Sequence, residues 1–151
     1  MPRTRLSEGE ERAWQALLHA HHDVTARLEA ELQDAHGLSM GEYDVLIRLA
    51  RAPGRALRMT DLAERVLLSP SGLTRLVDRL AAQGLVERLP DPDDGRGARA
   101  SLTDHGLAAA RRAAITHLRG IRRHFTDRLN ERQLREVAAG LEVVTGPHLP
   151  H

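Results

Sequence analysis

Apolar residues return every three or four positions along most of this chain, and the rhythm breaks only where glycine, proline or a capping residue intervenes. From about Glu8 to His36 the positions Trp14, Leu17, Leu18, His21, Val24, Leu28 and Leu32 share one stripe, which predicts a long helix with one buried face. Gly37 ends it. Ser39 and Glu42 form a capping box ahead of Tyr43, Leu46, Ile47 and Leu49, and the pair Pro53-Gly54 closes that second helix. Thr60 or Met59 opens a short helix carrying Leu62, Ala63 and Val66, followed by the tight connection Leu67-Leu68-Ser69. Ser69 is a good N-cap, Pro70 suits the first helical position because its missing N–H costs nothing there, and Leu73, Leu76, Val77 and Leu80 give the buried face. Gly84 stops this helix.

The period then changes. "LVERL" and "ARASL" read as two short strands joined by a loop of about seven residues, a hairpin whose tip is rich in aspartate, glycine and arginine. Thr103 caps a second long helix, with Leu107, Ala110, Ala114, Leu118, Ile121 and Phe125 in step to about Leu129. Asn130 and Gln133 make another capping box before Leu134, Val137, Ala138, Leu141 and Val144, and Gly146-Pro147 ends the order. The fold class is mainly α (α+β): a winged helix-turn-helix set between terminal helices.

Composition narrows the picture. A chain of 151 residues is expected to be one domain, and with 41% hydrophobic but only 2% aromatic residues its core is built from aliphatic side chains. The absence of cysteine removes disulfides, thiolate metal sites and thiol redox sensing. No signal-peptide core and no membrane-length apolar run is visible, which predicts a cytoplasmic protein. Net charge is only +1, so an anionic partner has to be argued from geometry, although all basic residues are arginine, the side chain suited to bidentate contacts. No Ser-His-acid pattern, phosphate-cradling glycine loop or paired carboxylates stand in a plausible cleft, so no enzyme is expected, and no cofactor.

In a helix-turn-helix the first helix braces the second, whose outward side chains enter the major groove. Counted from Ser69, the outward residues are Ser71, Gly72, Thr74, Arg75, Asp78 and Arg79. Small hydroxyl residues permit close approach, Arg75 can take guanine bidentately, and the helix start suits a phosphate. The hairpin carries its tip sideways from this helix; Gly95 and Gly97 leave Arg96 unobstructed at a reach that suits the minor groove, with Asp94 placed to hold its guanidinium extended.

The order Asp94-Gly95-Arg96, then an alternating strand, then Leu102-Thr103-Asp104-His105-Gly106 resembles the D-x-R and L-T-x-x-G signature of the MarR family of winged-helix transcriptional regulators. "LAERVLLSPSGLTRLVDRLAAQGLVER" is similar to that family's helix-turn-helix. The resemblance covers the whole chain and implies one MarR-like domain over 1–151, with dimerisation helices at about 1–36 and 104–146 and a winged helix-turn-helix at about 39–103. Gly95 stands where many members carry a basic residue, and Ala98 and Ala100 replace β-branched strand residues. By resemblance Arg96 enters the minor groove; Ser69, Ser71, Thr74, Arg75, Arg79 and Asp94 complete the DNA-binding set.

The long helix after the wing carries more apolar surface than so small a core covers, which predicts a two-fold homodimer on a pseudo-palindromic DNA operator. The resemblance further implies a repressor released by a small aromatic or anionic effector in a crevice, for which Trp14, His21, Met40, Tyr43 and Ile47 are the candidate lining. Some relatives sense zinc, and His19 with His22 and His117 with His124 invite the same question, but the spacing supplies no His-x-x-x-His pair, so no metal site is expected. The competing reading is a winged-helix protein-interaction module that does not bind DNA.

Overall fold

The computed structural model describes residues 4–66 and 70–146. Among the described residues six α-helices and three strands follow one another as α1 (Glu8–His36), α2 (Met40–Arg51), β1 (Ala56–Arg58), α3 (Met59–Val66), α4 (Pro70–Ala82), β2 (Val86–Asp91), β3 (Asp94–Leu102), α5 (Asp104–His124) and α6 (Glu131–Thr145). Ser69, the expected N-cap of α4, and the connection before it lie outside the described residues. The chain forms two compact units, one of residues 29–117 and one of residues 1–28 with 118–151.

In the first unit, α2 begins where the sequence places it. Ser39 Oγ accepts the Glu42 N–H at 3.1 Å and a Glu42 carboxylate oxygen accepts the Ser39 N–H at 2.9 Å. The next N–H, that of Met40, goes to Glu29 on α1 at 2.7 Å, so the start of α2 is capped locally and tied to α1 as well. Leu46 and Leu49 of α2, Leu62 of α3, Leu73, Val77 and Leu80 of α4 are fully or almost fully buried in one aliphatic core. Ala110 and Ala113 of α5 close it, and their small side chains let that helix approach closely.

The sheet is antiparallel in the order β1-β3-β2. β1 is a finding the sequence did not announce: three residues are too few to show a period, and they follow a turn in which Gly54 takes φ 62° and Arg55 φ 56°. The hairpin also corrects the expected loop of about seven residues. β2 runs on to Asp91 and β3 starts at Asp94, leaving Pro92 and Asp93 as the turn, with a register shift at Pro90/Asp91. Pro90 is tolerated because β2 is an edge strand.

The L-T-x-x-G stretch turns out to be a joint. Thr103 Oγ1 donates to the Gly84 carbonyl at 2.7 Å and accepts the Gly106 N–H at 2.9 Å, capping α5 while fastening it to the turn after α4. At Gly106 a Cβ would collide with the Leu85 carbonyl and come within 2.7 Å of Leu102 Cδ1, so only glycine lets α5 lie against that backbone.

The second unit overturns two expectations. Trp14 is 52% exposed, and Leu17, Leu18 and His21 are exposed with it, so the stripe of α1 is buried only from Leu28 onward; none of the described residues covers the rest. α5 stops at His124 rather than continuing to about Leu129: Phe125 leaves helical geometry at φ −134°, ψ −71°, and Arg128 Nε donates to the Arg123 carbonyl at 3.1 Å, satisfying an acceptor at the helix end. α6 carries the expected capping box, Asn130 with Gln133, and its stripe Val137, Leu141 and Val144 is exposed as well.

Candidate nucleic-acid interface

The geometry of α4 follows from its apolar period. Leu73, Leu76, Val77 and Leu80 are buried, which turns Ser71, Arg75, Asp78 and Arg79 outward, with Gly72 and Thr74 half-buried beside them. Arg75 makes no ion pair among the described residues, so its guanidinium is available to an external acceptor. The wing flanks this face: Arg88 on β2 reaches Asp78 on the outward side of α4, Nη1 to Oδ1 at 3.2 Å. Asp78, an acid on an otherwise basic face, is thereby neutralised by the wing.

Arg79 has a second occupation. Its Nε donates to Glu42 at 3.1 Å; the side chain is 58% exposed while the Glu42 side chain is only 8% exposed. One Glu42 oxygen caps α2 and the other holds α4, so Arg79 braces the recognition helix through its Nε. The sequence suggested an outward grip for Arg79 and gave no hint of this brace, because the partner lies on α2, far away in the chain.

At the wing tip the expected role of Asp94 needs correcting. Its carboxylate accepts the backbone N–H of Arg96, Oδ1 to N at 3.0 Å, and orders the strand start rather than the guanidinium. Arg96 itself is exposed with no ion pair among the described residues. Gly95 faces open space, whereas Gly97 is packed: a Cβ there would meet Asp94 Oδ2 at 3.2 Å and Asp91 Cβ at 3.3 Å. Asp91, which the sequence analysis did not single out, is buried and paired with Arg58, Nε to Oδ2 at 2.7 Å.

The candidate effector residues do not form a lined crevice within either unit. Trp14 and His21 are exposed on α1 in the unit of residues 1–28 and 118–151. Met40 and Ile47 are half-buried against the core of the other unit, and Tyr43 belongs to that core. Tyr43 is spoken for by His117, ring centroids 4.7 Å apart and tilted by 45°. Burial pushes the Tyr43 hydroxyl pKa up and holds the His117 imidazole below its ordinary value, the charge of Asp44 opposing the latter shift. A cleft of about 290 Å³ does open in the unit of residues 29–117, between Ala35, Leu85, His105 and Arg112, and none of the expected residues lines it. Among the described residues no group of three or more His, Asp or Glu side chains is arranged to hold a metal ion.

Comparison with known proteins identifies the family. A family model described as MarR family matches residues 36–97. The multiple antibiotic resistance protein MarR of Escherichia coli is 32% identical over 92 residues, 61% of this chain; the chain spans 62% of that relative's length. Two Streptomyces coelicolor structures match nearly the whole chain. AbsC, a MarR family transcriptional regulator, is 35% identical with a TM-score of 0.87, covering 95% of this chain and 96% of that one. Sco3205, a MarR family transcriptional regulator solved in complex with DNA, is 33% identical with a TM-score of 0.89, covering 99% and 93%. With the helix-turn-helix, the hairpin wing and the terminal helices all matched in order, this chain belongs to the MarR family of transcriptional regulators.

Proposed function

We propose that this regulator binds duplex DNA as a homodimer, each protomer placing the outward face of α4 in the major groove and Arg96 of the wing in the adjacent minor groove. The observation that carries the reading is the pairing of two arginines without an internal partner among the described residues, Arg75 on α4 and Arg96 on the wing, with a wing fastened to the α4 face by Arg88 and Asp78. Ser71 and Thr74 permit close approach, and Arg79 adds charge to the same face while bracing it. The complex of Sco3205 with DNA supports the same reading.

A second copy of the chain is the occupant that fits the apolar stripes of α1 and α6. Trp14, Leu17, Leu18, Leu141 and Val144 are too many exposed apolar side chains for a solvated surface. A two-fold dimer built on them presents two α4 helices to successive major-groove faces and reads a pseudo-palindrome. The reading takes the bound protein to be a repressor acting in the cytoplasm and assigns it no catalytic chemistry. No helix of the described residues is long and apolar enough to cross a membrane. Hydroxyl-radical footprinting on DNA flanking the protein's own gene tests this: two protected half-sites about one helical turn apart are expected, and a single protected half-site, or none, contradicts it.

A further inference from the structure

We infer that Arg58 and Asp91 form a clasp that positions Arg96, so that DNA binding depends on a residue of β1 that precedes the helix-turn-helix. The inference rests on the reading of the wing as a DNA contact and names what holds that contact in place.

Three strands each supply one part. Arg58 ends β1 and Asp91 ends β2, the two edge strands, yet they are joined by the 2.7 Å contact of Nε with Oδ2. The pair therefore crosses the central strand β3. Gly97 on β3 packs directly under Asp91: a Cβ there would sit 3.3 Å from Asp91 Cβ and press on the carboxylate's position. The side chain of Asp91 is 2% exposed while that of Arg58 is 45% exposed, so the clasp anchors a buried carboxylate from a half-open side.

The clasp also shapes the tip. Asp91 Oδ1 accepts the Asp93 N–H at 3.1 Å, and Arg58 Nη2 reaches Asp93 Oδ2 at 3.4 Å. Neither Pro92 nor Asp93 takes positive φ, so the turn is not of the primed type that favours hairpins by its own twist, and these carboxylate bonds hold it instead. Arg96 follows at once, its N–H bound by Asp94, which pairs with Asp91 across the hairpin. Arg58 also faces Arg99 in the β1–β3 ladder, a like-charge pair that favours separation; Asp91 supplies the opposite charge beside it. Without Asp91 the strand ends lose both the turn bond and the bridge, and the backbone that carries Arg96 loses its support.

Asp91→Asn separates this from a simpler role for Arg58 as a phosphate contact. The variant removes the 2.7 Å charged partner of Arg58, leaving it the longer Asp93 contact at 3.4 Å, and makes the wing more basic, so a phosphate contact predicts equal or tighter binding, whereas the clasp predicts weaker binding. Measured on the footprinted duplex by fluorescence anisotropy, Asp91→Asn is expected to raise Kd about tenfold, the scale of losing one base-reading arginine. In an Arg96→Ala background the same change is expected to alter Kd by less than about twofold, because both act through one contact. Circular dichroism melts establish that each variant is folded; should Asp91→Asn fail to fold, Arg58→Gln and Gly97→Ala carry the same two expectations. Unchanged or tighter binding overturns the clasp, as does a tenfold loss that persists in the Arg96→Ala background. Wild-type protein that does not bind the duplex overturns the DNA reading itself, a separate outcome.

Discussion

Glu42→Ala is the substitution that most directly probes how the recognition helix is held. Glu42 has no large apolar surface to lose, yet its carboxylate is buried and both oxygens are committed: one to the Ser39 N–H at 2.9 Å, the other to Arg79 Nε at 3.1 Å. Loss of the capping half leaves the start of α2 short of an acceptor, a cost of about 1 kcal/mol. Loss of the other half removes a charge-assisted bond to a partner that is more than half exposed, so solvent screening reduces its share to about 1 kcal/mol. A total of about 2 kcal/mol is a substantial fraction of the stability of a small domain. Urea unfolding followed by circular dichroism reads it as a lowered midpoint at unchanged slope. Glu42→Gln keeps an acceptor for Ser39 and is expected to lose about half as much. A Glu42→Ala protein within about 0.3 kcal/mol of wild type, less than the error expected from additivity, refutes the bracing argument and returns Arg79 to a purely external role.

Two further perturbations follow from the same physical reading. Gly106→Ala drives a Cβ into the Leu85 backbone and is expected to destabilise the fold by about 3 kcal/mol, the upper range for overpacking, since a carbonyl cannot rotate away as a side-chain end can; a melting temperature within a degree or two of wild type speaks against it. His117 is held below its ordinary value of 6.5 by burial, and its Nδ1 is buried without a hydrogen-bond partner among the described residues. The unfolded chain therefore takes up the proton first as pH falls; stability is full above about 6.5 and declines below it until the folded value is passed. His117→Phe keeps a ring against Tyr43 and removes the titration, so its urea midpoint is expected to fall less than that of wild type between about pH 7.5 and pH 5.5. Equal falls in the two proteins contradict this.

Much of the architecture was legible because it rests on local rules. The capping boxes at Ser39 and Asn130 mark helix starts whatever the tertiary context, and the spacing of Leu73, Leu76, Val77 and Leu80, all buried, identified the outward face of α4 from the sequence. What stayed hidden depends on residues far apart in the chain. Asp91 in an Asp-Pro-Asp-Asp run looks solvated until Arg58 arrives from another strand to bury it, and that same pairing extends β2 through what reads as loop. β1 is too short to carry a period. The end of α5 lacks a glycine or proline signal and depends on Arg128 folding back to the Arg123 carbonyl. On α1, periodicity revealed an apolar stripe but could not say that residues of the same unit leave Trp14, Leu17 and Leu18 uncovered.

The account stands or falls on the outward face of α4 and the wing tip gripping duplex DNA together, and the salt dependence of binding measures that grip. Anisotropy titrations of wild type and an Arg75→Ala/Arg96→Ala protein on the footprinted duplex, between about 50 and 200 mM salt, give the slope of log K against log salt, about −0.9 for each phosphate neutralised. The account predicts a steep negative slope for wild type, with the double variant weaker at every salt concentration. A double variant that matches wild type in affinity and slope contradicts it.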